Sequence, residues 1–200
     1  NQTDTVLILT AKKGRATKLH KRVLGGGWET QGYDRLYIFR ALEHRANGLR
    51  AFFEVLKKAS RNPSSLVVGE TLVGGQDPNN ILRRIHGDGA GLTPNPVGHH
   101  WICWEVDGVT SPPDFFDSSN VYDRSKDADL ARWWIREHLP PQFHGRSAIL
   151  QWSSSALLKG KISFHLWMWM DRPVARASIR AYAMAHWRDI TSKFFELVLM

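Results

Sequence analysis

The chain has 200 residues, enough for one domain with a sizeable core or for two closely packed halves. It carries 27 Lys and Arg against 19 Asp and Glu, a formal charge of +8 that favours polyanionic partners, nucleic acid above all. One cysteine excludes a disulfide framework and a cysteine-rich zinc site, no run of about 18 apolar residues offers a membrane span, and Asn1-Gln2-Thr3-Asp4 does not begin a secretory leader, so a reducing, cytoplasmic setting away from membranes is expected.

Val6 to Leu9 reads as a short buried strand. Lys12 to Gly27 is basic and closes on Gly25-Gly26-Gly27, which predicts a flexible loop; the Gly-x-x-x-x-Gly-Lys-Ser/Thr spacing of a P-loop is absent. Leu36 to Phe39 predicts a second strand. Leu49, Phe52, Phe53 and Leu56 follow helical spacing, and Asn62-Pro63 ends that helix. Leu66 to Val68 predicts a buried strand. Residues 74–98, rich in Gly, Pro and Asn around Ile81-Leu82-Arg83-Arg84, predict a long loop of the kind that often carries function. Trp101 to Gly108 predicts a strand, broken by Ser111-Pro112-Pro113. Leu130, Trp133, Trp134 and His138 predict a helix ended by Leu139-Pro140-Pro141. Ala148 to Trp152 predicts a strand leading into Ser153-Ser154-Ser155, and Lys161 to Met170 another. Asp171-Arg172-Pro173 reads as a turn into a helix with Ile179, Tyr182, Ala183, His186 and Trp187 on one face. Phe194 to Met200 is apolar around Glu196. Such mixed elements make an α+β or α/β fold. Its expected division is an N-terminal module with basic loops, 1–98, and a module carrying the chemistry, 99–200, packed as one compact domain.

Two of these strands carry the chemistry. Alternation puts Glu105 and Asp107 on one face of their strand, with Ile102, Trp104 and Val106 on the other. It likewise groups Lys161, Ser163 and His165 against Ile162, Phe164, Leu166 and Met168. Two carboxylates on one strand face repel unless a cation or proton sits between them, and Mg²⁺ or Mn²⁺ takes such oxygen ligands together with substrate phosphates. Lys161, Ser163 and His165 are donors suited to triphosphate oxygens. A serine hydrolase is disfavoured because Gly-x-Ser-x-Gly is absent. Zinc is disfavoured because His99 and His100 point to opposite faces and His-Glu-x-x-His is absent.

The order of these features resembles the archaeo-eukaryotic primase superfamily, above all the primase-polymerase domains of bacterial phages, plasmids and integrative elements. The resemblance runs over roughly residues 50–200. It rests on Trp104-Glu105-Val106-Asp107-Gly108, on Trp152-Ser153-Ser154-Ser155-Ala156, and on Ser163-Phe164-His165-Leu166-Trp167 followed by Asp171-Arg172-Pro173-Val174. The helix ending at Asn62-Pro63 and the strand Leu66-Val67-Val68-Gly69 are also similar to those proteins. The resemblance implies a two-module fold with an RNA-recognition-motif-like catalytic sheet flanked by helices. It implies template-directed primer synthesis from nucleoside triphosphates on single-stranded DNA, alongside a replicative helicase. By the same resemblance Glu105, Asp107 and a third acid would bind Mg²⁺ or Mn²⁺, and His165 with Ser163 would contact the nucleotide; Lys161, on that strand face, and Ser154 are further candidate nucleotide contacts. Phe195-Glu196 fits the third motif's text, and Asp189 is a second candidate. Glu105 and Glu196 stand where the family usually has Asp; the extra methylene moves each carboxylate, and a displacement of about 1 Å is enough to slow catalysis.

Lys12, Lys13, Arg83 and Arg84 are the candidate DNA contacts. The alternative is a non-catalytic single-stranded-DNA or origin-binding replication protein, for which charge and aromatic residues suffice. A metal-dependent nuclease or relaxase is a third class, but neither Tyr33 nor Tyr37 has the histidine cluster a relaxase tyrosine needs.

Overall fold

The structure, a computed structural model, describes residues 3–32, 38–84, 87–110, 113–117, 121–154, 156 and 162–186. Two antiparallel sheets form its frame. The first has the order β5-β1-β4-β7, built from β1 (Asp4–Ala11), β4 (Ile38–Ala46), β5 (Ser65–Val68) and β7 (Ile81–Leu82). The second has the order β10-β11-β9, built from β9 (His99–Val109), β10 (Ala148–Trp152) and β11 (Ile162–Val174). Two small ribbons complete the β structure: β2 (Leu19–Arg22) with β3 (Trp28–Gln31), and β6 (Glu70–Leu72) with β8 (Leu92–Pro94). Every pairing among these strands is antiparallel, so the fold is α+β.

Strand alternation explains how the layers stack. On β1, Val6 and Ile8 face one way and pack on α1 (Leu49–Ser60), while Leu7, Leu9 and Ala11 face the other way onto Phe39, Val68, Ile81 and Leu92. Helix α1 lies between the two sheets. Its Phe52 stacks on Trp101 at 5.4 Å and meets Trp167 edge-on at 5.6 Å, so β9 and β11 share a core with β1 and β5. Phe52, Val55, Leu56 and Ala59 form the buried face of α1. Phe53, expected on that face, is 42% exposed and lies under the Lys57 ammonium instead.

The other face of the second sheet carries Ile102, Trp104, Val106, Phe164, Leu166 and Met168. Against it pack Leu130, Trp134 and Ile135 of α2 (Asp127–His138) and Ile179 of α3 (Arg176–His186). Asp127 and Asp129 in the first turn of α2, with Arg136 and His138 in the last, complement the helix dipole. The second sheet therefore has two helices on one face, and on the other face α1 covers only part.

Three local expectations are corrected. Lys12 to Gly27 is not only a loop, because β2 and β3 form a hairpin within and beyond it. The stretch 74–98 contains β7 and β8, short strands that alternation over two or three residues cannot announce. Asp171-Arg172-Pro173 does not turn the chain: β11 continues to Val174, pairing there with His99. The irregular pairing between Trp169 and Val174 accommodates a proline, which cannot donate to a regular ladder.

Candidate functional site

The site forms where one face of the second sheet changes from apolar to polar. Three cross-strand rows run towards that end. Ile149, Trp167 and Cys103 lie side by side in register and belong to the core under α1. The next row is Gln151, His165 and Glu105. Beyond it come Ser163 and Asp107, with the Ser153 backbone N–H donating to the Ser163 carbonyl. Glu105 and His165 project from one face in register, and Ser163, two residues before His165 on that face, bonds Asp107 beside them, so the four side chains gather at this end.

The distances define two contacts. Glu105 Oε1 lies 3.8 Å from His165 Nε2, with the imidazole 18% and the carboxylate side chain 33% exposed. Ser163 Oγ donates to Asp107 Oδ1 at 2.8 Å and accepts the Gly108 backbone N–H at 3.0 Å. The second contact depends on a β-bulge. Ile162 pairs with Val109 and Phe164 with Val106, so Asp107 and Gly108 together oppose Ser163. Gly108 takes φ 65°, a left-handed conformation that glycine adopts most easily. Ser163 is buried and its single proton is engaged by Asp107, while Asp107 itself is exposed. In this arrangement Ser163 orients the acid rather than facing solvent.

Gln151 is a member of the site that the motifs did not announce. It accepts a hydrogen bond from Trp167 Nε1 at 2.9 Å, which ties the edge of the core to the polar row. Its signal was available: it is the lone polar residue of the strand Ala148 to Trp152 and falls in register with His165. Cys103, two residues before Glu105 on the same face, is buried. Burial pushes its thiol well above the usual range and the Glu105 charge adds to this, so it is no nucleophile.

The remaining candidates are spread out. Ser154 is exposed just beyond β10. Lys12 donates to Asn80 Oδ1 at 2.6 Å, and Lys13 is exposed beside it. Arg83 and Arg84 are exposed after β7. The Arg83 charge acts on buried Glu70, which Arg176 holds at 3.2 Å; burial nevertheless raises the Glu70 carboxyl above its ordinary value. No described contact joins these arginines to Glu105 or His165. Lys161, Asp189 and Glu196 lie outside the described residues.

His99 and His100 are structural. His99 Nδ1 sits 3.2 Å from Asp4 Oδ1 and its Nε2 3.0 Å from the Gly69 carbonyl, while His100 Nδ1 meets the Met170 carbonyl at 3.0 Å. Burial pushes the Asp4 carboxyl up, but the His99 contact and the His100 backbone N–H outweigh it and hold its pKa below the ordinary value.

Glu105 and Asp107 are oxygen donors of the type Mg²⁺ and Mn²⁺ accept. Among the described residues, however, no group of three His, Cys, Asp or Glu side chains is placed to hold a metal ion. The described part of the site is thus two carboxylates and an imidazole on one exposed sheet end, short of a complete ligand set. No protein-family model, curated protein or solved structure matches the chain.

Proposed function

We propose that the protein is a DNA-dependent primase or primase-polymerase domain of a mobile replication system, joining nucleotides at the polar end of β9 and β11. The observation that carries this reading is the convergence of Glu105, Asp107 and His165 on the sheet face opposite α2 and α3. The connectivity supports it as well. The order β9-α2-β10-β11-α3, with β11 central and both helices on one face, is that of a split β-α-β unit such as an RNA-recognition-motif-like sheet uses. The acid-x-acid and Ser-x-His texts fall on neighbouring strands of it.

In this reading Glu105 and Asp107 supply two oxygen ligands, and a third comes from Glu196 or Asp189. A bound Mg²⁺ or Mn²⁺ would neutralise triphosphate charge and favour ionisation of the attacking 3′-hydroxyl. Ser163 holds Asp107 in one orientation by spending its proton there. His165, at the rim of the site, donates a ring N–H to a phosphate oxygen, and Lys161 and Ser154 add donors. Arg83, Arg84, Lys12 and Lys13 would take template phosphates at a distance from the chemistry. Single-stranded DNA, nucleoside triphosphates and a replicative helicase are the partners this function calls for, in the cytoplasm.

The second reading is a non-catalytic single-stranded-DNA or origin-binding replication protein. Favouring it are Glu105 and Glu196, which stand where the resembling family has Asp. A metal titration separates the two. In the primase reading, nucleoside triphosphate affinity rises with added Mn²⁺ and the rise disappears in Glu105→Ala. Metal-independent DNA binding, with no nucleotide affinity at any Mn²⁺ concentration, selects the binding protein.

A further inference from the structure

The β2–β3 hairpin has no part in either sheet, and its surface is unlike that of an ordinary connection. Every residue from 21 to 32 is exposed, so both faces of the ribbon stand in solvent. A two-stranded ribbon that buries neither face gains little from folding. Even so, its end carries Val23, Leu24 and Trp28, with Leu24 fully exposed and Trp28 47% exposed. Gly25, Gly26 and Gly27 make the connection at φ 94°, 91° and 102°, conformations that other residues rarely adopt. A Cβ on Gly25 or Gly26 would meet nothing, so these glycines serve the turn rather than the close approach of another group.

Charge is mostly positive along the ribbon and the segment that leads into it. Residues 12–31 hold six Lys or Arg against one Glu, a net of five out of the +8 of the whole chain. The cations run from the base (Lys12, Lys13, Arg15, Lys18) to the tip (Lys21, Arg22). Register pairs Arg22 with Trp28 and His20 with Thr30, and His20 Nδ1 lies 2.9 Å from Thr30 Oγ1. One face therefore presents Trp28 beside Arg22 and continues as a polar strip.

We propose that this hairpin is an arm that grips single-stranded nucleic acid, with Trp28 stacking on an unpaired base and Arg22 and the basal cations on the phosphates, while Lys21 lies in register with Glu29 on the other face. An aromatic platform beside a track of cations is the general solution for sequence-tolerant single-strand binding. An anionic membrane is the weaker occupant. A tip inserted in a bilayer would engage only Lys21 and Arg22, leaving the basal cations about 14 Å away along four residues of strand, beyond the roughly 8 Å reach of charge at physiological salt. A strand of nucleic acid lying along the face of Trp28 and Arg22 runs on from the tip towards the base. The inference rests on the single-strand binding that both readings above share, and not on nucleotidyl transfer: it concerns binding without metal or nucleotide.

The test is fluorescence anisotropy of labelled oligo-deoxythymidine with the full chain over a salt series, without divalent metal. Trp28→Ala should weaken binding roughly tenfold with the salt slope unchanged, and Trp28→Phe should retain most of the affinity. Arg22→Gln should lower the salt slope by about 0.7. Because the ribbon lies outside the core, all three variants should melt as wild type does. Unchanged affinity in both Trp28→Ala and Arg22→Gln overturns the proposal. So does wild-type binding to phosphatidylserine vesicles without binding to the oligonucleotide. Loss of nucleotide transfer with normal oligonucleotide binding would count against the catalytic reading alone.

Discussion

Ser163→Ala isolates the contact that orients the site. Ser163 is 3% exposed, and its hydroxyl both donates to Asp107 and accepts from the Gly108 N–H. A hydrogen bond to a charged group contributes about 1.5–3 kcal/mol. Asp107 is exposed and can regain water, which reduces its share to about 1 kcal/mol. The half-buried Gly108 N–H loses its acceptor at a cost of about 1 kcal/mol. The expected destabilisation is about 2 kcal/mol, or a fall in Tm of roughly 4–8 °C for a chain of this size. Denaturant unfolding of wild type, Ser163→Ala, Asp107→Ala and the double variant closes a thermodynamic cycle. The coupling between the two residues should be about 1 kcal/mol. A coupling below about 0.3 kcal/mol would refute the view that Ser163 holds Asp107.

Gly98→Ala should destabilise strongly, by about 3 kcal/mol or more, because Gly98 has φ 85° and a Cβ there would lie 2.2 Å from the Val174 carbonyl; thermal melting measures it. His138 should give an acid-side loss of stability. Burial lowers its pKa against the opposing charge of Glu137, so its contribution is present above 6.5 and fades as pH falls through the depressed folded value. His138→Gln should flatten that part of the stability–pH curve, and a curve identical to wild type would remove the assignment. Cys103, buried and with its thiol pKa raised, should resist iodoacetamide until the protein unfolds, and labelling at the native-state rate of a surface cysteine would contradict its burial.

Much of this arrangement was legible in the residues. Alternation over Trp101 to Asp107 and over Ser163 to Met168 assigned both faces of the second sheet, because each strand buries one face under α2 and loses cover on the other near its polar end. Helical spacing located α1 and α2 within a few residues, since a single stripe on each faces the core. What it could not see depends on tertiary register. Gln151 becomes part of the site only when β10 is laid against β11. The bulge at Gly108 is set by pairing, though the Asp-Gly text hints at it. The hairpin of β2 and β3 escaped because its sequence lacks the apolar alternation of a half-buried strand, being exposed on both sides. Phe53 was misassigned because helical spacing admits it at the margin of a stripe whose centre lies on Phe52, Val55, Leu56 and Ala59. Asp171-Arg172-Pro173 was read as a turn from its composition, whereas irregular pairing in β11 absorbs the proline.

The central claim is that Glu105, Asp107 and His165 form a nucleotidyl-transfer site. Incorporation of labelled nucleotide on single-stranded DNA, with Mg²⁺ or Mn²⁺, tests it most directly when wild type and Asp107→Ala are compared at matched DNA occupancy. The account predicts primer synthesis by wild type and none by Asp107→Ala, with DNA affinity unchanged or slightly higher because a charge that repels phosphate has gone. No incorporation by wild type with either metal, together with DNA binding in which Asp107→Ala is indistinguishable from it, would contradict the claim and leave the binding protein as the reading that stands.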